Sequence, residues 1–243
     1  MSLQFVLGSS GSGKTEYIYR QIVEQAGKHP KQNFLVIVPE QFTMSTQQKL
    51  VELAPNHAIM NIDVLSFKRL AYRVFDEMGR NDIRVLEETG KNLVLKKLAR
   101  REEEHLTVLR PNMNRMGYIG EVNSLISELV QYNVSPDRLE DVARRDELSP
   151  VLRAKLQDIV TMYRAFTDFM EGSYITAEEI LNILSELAKD SAILRDSVLV
   201  FDEFTGFTPI QNDLMRQLLQ VAERVIVTLT MDAKEDFYLC RGE

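Results

Sequence analysis

Eight residues near the start of the chain, GSSGSGKT from Gly8 to Thr15, have the types and spacing to hold a phosphate chain. They match G-x-x-x-x-G-K-[ST] in full and stand between the apolar run LQFVL and a helical pattern. In such a loop Gly8, Gly11 and Gly13 let backbone N–H groups, with those of Ser9, Ser10 and Ser12 between them, turn inward around a phosphate. Lys14 would then neutralise phosphate oxygens, and Thr15 would offer its hydroxyl to Mg2+. The alternative is a glycine-rich turn that holds no ligand. A second stretch, SVLVFDEFTGFTP, ends an apolar run in Asp202 and Glu203. At the carboxyl end of a neighbouring strand, one carboxylate can hold a metal's water shell while the next orients or deprotonates an attacking water. The alternative for an acidic pair there is an N-cap or a solvated loop.

These residues need strands and helices to position them. Five short apolar runs, Leu3 to Leu7, Phe34 to Val38, Ile59 to Leu65, Val198 to Phe201 and Val225 to Leu229, read as buried parallel strands. Between the first two lies KTEYIYRQIVEQAG, with Ile18, Ile22 and Val23 on one helical face and Gly27 as its stop. After the third run, SFKRLAYRVFDEMG spaces Phe67, Leu70, Ala71, Val74 and Phe75 as a helix ending at Gly79. The fold class is therefore α/β with a parallel sheet. From 81 to 195 the strand signal gives way to helical patterns, including Ser135 as an N-cap before Pro136 and a Thr176/Glu179 capping box. Three segments are expected: 1–80 as the first part of the α/β core, 81–195 as an all-helical insertion, and 196–243 as the second part of the core.

The balance of 36 acidic and 29 basic residues, net −7, argues against nucleic-acid binding over the whole surface. A local basic run, Lys91, Lys96, Lys97, Arg100 and Arg101, is followed at once by Glu102 to Glu104 and reads as a solvated helix face, with phosphate contact as the alternative. Tyr163, Phe166 and Phe169 keep helical register and read as core rather than as a stacking platform. Cys240 is the single cysteine and reads as an ordinary thiol, and the three isolated histidines have no metal-ligand spacing. With no run of 18 apolar residues and no basic-then-apolar leader, a soluble, cytoplasmic protein without a membrane partner is expected.

The order of the P-loop, VPEQFT, VLSFKRLAYRVF, a helical insertion, LVFDEFTGFTPIQNDLMRQL and VIVTLTMDAKEDFY resembles the first RecA-like domain of superfamily 1 UvrD-type helicases. More closely, it resembles the N-terminal portion of AddB, the B component of AddAB-type ATP-dependent helicase/deoxyribonucleases, over essentially all 243 residues. The resemblance implies a P-loop NTPase core of the 1A type carrying a 1B-type helical subdomain, with ATP and Mg2+ as cofactors. It implies that Lys14, Asp202 and Glu203 are the catalytic set, that Thr15 and Asp202 hold Mg2+, and that Gln41, Thr43, Ser66 and Phe67 lie on loops facing DNA. The implied partners are DNA, as duplex ends and single strand, and an AddA-type helicase/nuclease subunit in a heterodimer. A nuclease domain and an iron-sulfur cluster are implied only for the C-terminal part of a complete AddB-type chain. The implied role is double-strand-break repair and recombination.

Three departures temper the activity that the resemblance implies. UvrD-type enzymes read adenine with a glutamine upstream of the P-loop, where this sequence has seven residues. Where they sense the terminal phosphate with another glutamine, TMDAKEDFY offers Asp232 and Glu235, whose charge repels phosphate. The second RecA-like domain and its arginine finger do not follow within these residues. Weak ATP binding with little or no motor activity is therefore expected. The alternatives are a non-hydrolysing DNA-scanning module with a relic P-loop and a small P-loop kinase, the latter opposed by a helical insertion without an arginine-rich lid.

Overall fold

The computed structural model describes residues 2–80, 82–172 and 174–231. The chain runs β1 (Ser2–Gly8), α1 (Lys14–Lys28), β2 (Phe34–Ile37), α2 (Thr43–Leu53), β3 (Ile62–Leu65) and α3 (Phe67–Glu77). It continues with β4 (Val85–Leu86), α4 (Glu88–Arg101), α5 (Met116–Gln131), α6 (Pro136–Ala143), α7 (Pro150–Met170), β5 (Ile175–Thr176) and α8 (Ile180–Leu187). The last described elements are β6 (Val198–Phe201), α9 (Pro209–Val221) and β7 (Arg224–Thr230). Two compact units emerge. One takes the described residues of Met1–Gly79, Ile183–Phe207 and Gln211–Glu243, and the other takes those of Arg80–Asn182 and Thr208–Ile210.

In the first unit β1-β7-β6-β2-β3 form one parallel sheet. The continuous apolar runs are explained by position: β2 and β6 lie inside the sheet, and each of their residues is buried. One face packs Val36, Val200 and Ile226 against Ile18, Tyr19 and Ile22 of α1 and Leu50 of α2. On the other face Phe201 meets Phe67 at the start of α3, with ring centroids 5.8 Å apart. β1 is an edge strand. Its Leu3 and Phe5 are in register with the buried Val225 and Val227 of β7, yet both are about half exposed, at 46% and 53%.

Helix ends follow local chemistry. Ser66 caps α3 by accepting from the Arg69 backbone N–H at 3.3 Å, and Gly79 ends the same segment with φ of 67°, a left-handed conformation that glycine adopts without a Cβ clash. Gly27, read as the stop of α1, lies inside that helix, which continues to Lys28. The third strand is shorter than its apolar run and begins at Ile62. The chain rejoins the sheet unit at Ile183, within α8, rather than near 195. Helical periodicity runs through that point without a break, so the pattern alone does not mark it.

The second unit is built on helices around one apolar cluster that includes Leu95, Leu98, Ile119, Val122, Ile126, Ile159, Tyr163 and Phe166. Phe169 is partly buried against this cluster and stacks on Tyr174 at 6.5 Å. The caps at Ser135 and at Thr176/Glu179 form as read, the latter with reciprocal bonds of 2.7 and 3.2 Å. Lys91 is not on a solvated face. It is 1% exposed and its ammonium reaches Glu88 at 2.6 Å, Ser127 at 2.8 Å and Glu178 at 3.3 Å. A buried ammonium needs such partners to offset its lost hydration. Lys97, Arg100 and Arg101 remain exposed on the same helix.

Candidate functional site

Because every strand of the sheet runs the same way, the ends of β1, β6 and β7 share one rim, where open α/β sheets bind ligands. β1 delivers Gly8 there, and the chain turns through Gly11 and Gly13, with φ of 73° and 85°, into α1. A Cβ at Gly8 would stand 2.4 Å from Ser12 Oγ and 3.2 Å from Lys14 Cγ, so a side chain there would turn the Ser12 hydroxyl away and press on Lys14. Gly13 is the N-cap of α1 and supplies no side-chain bond, leaving the first N–H groups of that helix without a side-chain acceptor. Helix dipole and free N–H groups together favour an anion at this point.

The Lys14 ammonium is held inside the loop, donating to the Gly8 carbonyl at 2.9 Å and the Ser9 carbonyl at 2.8 Å. Across from it β6 leads directly into Asp202, which is 2% exposed. The Thr228 hydroxyl donates to Asp202 Oδ1, while Oδ2 is buried with no hydrogen-bond partner. The next residue, Glu203, is exposed and adopts φ of 64°, a left-handed backbone that costs a non-glycine residue on the order of 1 kcal/mol. Phe204 follows and packs on Phe67 at 5.4 Å and on Phe207 at 5.0 Å, so aromatic contacts buttress this turn. A cavity of about 470 Å³ separates the glycine-rich loop from Asp202, Glu203, Thr228 and Thr230.

Beneath the cavity, Tyr19 of α1 lies 3.3 Å from the Thr46 hydroxyl of α2. Burial, with the Asp202 charge second, pushes the Tyr19 phenol far above its ordinary range, so it stays protonated beside the carboxylate. Residue-by-residue reading missed Tyr19, Thr46 and Thr228. Each looks like an ordinary helix or strand position until the fold sets Thr228 and Tyr19 beside Asp202 and Thr46 against Tyr19.

A buried carboxylate oxygen without a donor, next to an unlined helix N-terminus, fits a hydrated cation bound together with phosphate. Mg2+ characteristically takes one or two protein oxygens and fills the rest of its shell with water and phosphate. Thr15 and Asp202 are among the oxygen-bearing residues that line the cavity. Among the described residues no group of three or more His, Cys, Asp or Glu could hold a metal.

Of the four residues expected on DNA-facing loops, Gln41 is exposed. Thr43 is 4% exposed and donates to the Glu40 carbonyl at 2.9 Å, Ser66 caps α3, and Phe67 is 8% exposed within the aromatic group on Phe201 and Phe204. Asp232, Glu235 and Cys240 lie outside the described residues. Among the described residues no helix is long and apolar enough to cross a membrane.

The sheet and its rim thus define the class: an α/β protein with a glycine-rich loop facing a half-satisfied aspartate. Its family is that of the ADDB N-terminal region, to which the chain belongs by a match over residues 5–239. It is 44% identical over 235 residues to the B component of the ATP-dependent helicase/deoxyribonuclease of Lachnoclostridium phytofermentans, covering 97% of this chain and 20% of that protein. The proteins of the same name from Clostridium tetani and Clostridium kluyveri are 34% and 32% identical, over 94% and 98% of this chain and 20% of their own lengths. The chain therefore spans about a fifth of the length of the relatives it matches.

Proposed function

We propose that this chain is the nucleotide-binding, RecA-like portion of an AddB-type protein. It binds Mg-ATP weakly and acts with an AddA-type helicase/nuclease partner on DNA ends during double-strand-break repair and recombination. One observation carries the nucleotide reading: Asp202, whose buried Oδ2 has no hydrogen-bond partner, lines the same cavity as the glycine-rich loop and Thr15. An unpaired buried charge costs several kcal/mol unless something fills the site, so its persistence supports a ligand. The relatives, named as components of a helicase/deoxyribonuclease, support the DNA and partner parts of the reading.

In this reading the N–H groups of the loop and of α1 enclose a phosphate, and Lys14 leaves its two carbonyls to neutralise phosphate oxygens. Thr15 and Asp202 hold Mg2+, which when bound supplies positive charge to the phosphate oxygens. Thr228 fixes Asp202 Oδ1 and so sets the orientation of the carboxylate at the cavity wall. Glu203, exposed beside that carboxylate, orients or deprotonates a water, and its left-handed backbone is a strain of the kind found at working sites. Gln41 faces DNA, while Thr43, Ser66 and Phe67 hold the loops in shape from within.

Calorimetric titration with Mg-ATP tests this. Lys14→Ala is expected to weaken binding by at least about thirtyfold, the loss of a charge-assisted phosphate contact. Glu203→Gln is expected to leave binding intact and to abolish turnover. Absence of binding to the folded wild-type chain would leave the loop as a relic, and turnover unchanged by Glu203→Gln would remove that residue from the chemistry.

A further inference from the structure

The cavity beside the glycine-rich loop has a wall that the loop and the acidic strand end do not supply. Lys49 of α2 lines it. Thr46, one helical turn earlier, is buried with its hydroxyl against Tyr19, so the inner side of α2 is fastened toward the site. Lys49, at i+3, stands on the neighbouring part of that face, exposed, and among the described residues it makes no hydrogen bond or ion pair.

Charge gives this placement a consequence. Glu16, Asp202 and Glu203 line the cavity, and the cations that line it are Lys14 and Lys49. Glu16 is ion-paired with Arg20, so with Lys14 alone the cavity would present the Asp202 and Glu203 carboxylates against one ammonium, an unfavourable field for a polyphosphate. An exposed lysine with no partner to give up loses little by turning to an incoming anion.

We infer that Lys49 is a second phosphate-binding cation of this site and contacts the outermost phosphate of a nucleoside triphosphate. This rests on the nucleotide reading above. A glycine-rich loop encloses the inner phosphate with backbone N–H groups. The group left projecting across the cavity toward α2 is the terminal phosphate, so Lys49 distinguishes triphosphate from diphosphate. α2 thereby connects the nucleotide to the Glu40–Phe42 turn at its own N-terminus.

The experiment is titration of the full 243-residue chain with Mg-ATP and with Mg-ADP, for the wild type, Lys49→Ala, Lys49→Arg and Lys14→Ala. Lys49→Ala is expected to weaken Mg-ATP about tenfold and Mg-ADP less than about twofold, as loss of one charge-assisted contact to one phosphate. Lys49→Arg restores most of the difference. Because Lys49 is exposed, all three Lys49 forms are expected to melt together, which separates binding from folding. Wild-type affinity in Lys49→Ala alongside lost affinity in Lys14→Ala would overturn this inference and leave the nucleotide reading standing. Equal weakening of ATP and ADP would overturn the assignment to the terminal phosphate. A folded wild-type chain that binds neither nucleotide would overturn both.

Discussion

The two units bury charge in different ways. In the helical unit Asp158 is 2% exposed and accepts from the successive backbone N–H groups of Thr107, Val108 and Leu109 at 2.7 to 3.1 Å, and from the Thr107 hydroxyl. Lys91 is likewise surrounded by Glu88, Glu178 and Ser127. In the sheet unit Asp202 is as deeply buried, yet one of its oxygens has no donor. The unsatisfied atoms of the helical unit, Asn92 Oδ1, Asn123 Oδ1 and Arg153 Nε, belong to neutral amides and to a guanidinium that bonds elsewhere through Nη2. Burial of a charge thus does not by itself mark function. A satisfied charge organises the fold around it, and an unsatisfied one keeps room for something else.

Removing Asp158 should show the largest effect. Asp158→Ala leaves the N–H groups of Thr107, Val108 and Leu109 without this acceptor, the last of them buried and the others partly so, and about 3 kcal/mol of stability is expected to go with them. Urea denaturation followed by circular dichroism measures this, and Mg-ATP affinity under native conditions should not change. A loss below about 1 kcal/mol would mean that water replaces the carboxylate freely, and the contrast with Asp202 would weaken.

Asp202→Asn should behave in the opposite sense. Neutralising a buried carboxylate whose Oδ2 lacks a donor is expected to leave stability in EDTA unchanged or raise it by up to about 1 kcal/mol. The same variant should lose the Mg2+ dependence of nucleotide affinity, about tenfold or more, because the amide is a poor cation ligand. A destabilisation above about 2 kcal/mol would place Asp202 with Asp158 among structural charges and dissolve the comparison.

How much of this is legible before folding depends on how local the signal is. GSSGSGKT, the five apolar runs, the Ser135 cap and the Thr176/Glu179 box are all decided by residues within a few positions of one another, and a reader of the sequence meets them directly. Two of the partners of Lys91, Ser127 and Glu178, are not. Glu178 lies 87 residues away, so a basic stretch beside three glutamates reads as a solvated face. Thr228 reaches Asp202 because β6 and β7 pair in the register that sets Phe201 beside Val227, a fact of topology. α2, TMSTQQKLVEL, buries Thr43, Thr46 and Leu50, two of them polar, so its apolar period is faint and Lys49 draws no notice. The two-residue strands β4 and β5 are shorter than any alternation that could announce them.

The finest test of the contrast lies in Tyr19, which shares its buried position with Asp202 but is satisfied by Thr46. Its ionisation is raised in the folded chain, first by burial and then by the Asp202 charge. Below about pH 10 the phenol is protonated in both folded and unfolded chains and adds no pH dependence. Above that, the unfolded chain releases the proton while the folded chain keeps it, so ν_U falls below ν_N and stability declines as pH rises. Tyr19→Phe should cost about 1 kcal/mol at neutral pH, the worth of one buried hydrogen bond. Since phenylalanine does not titrate, the gap between variant and wild type should narrow as pH passes about 10, at a rate approaching 1.4 kcal/mol per unit. Urea titrations at about pH 8 and 10.5 read this directly. A gap that stays constant would show that Tyr19 ionises as easily folded as unfolded, and that the interior beside Asp202 is wetter than its burial implies.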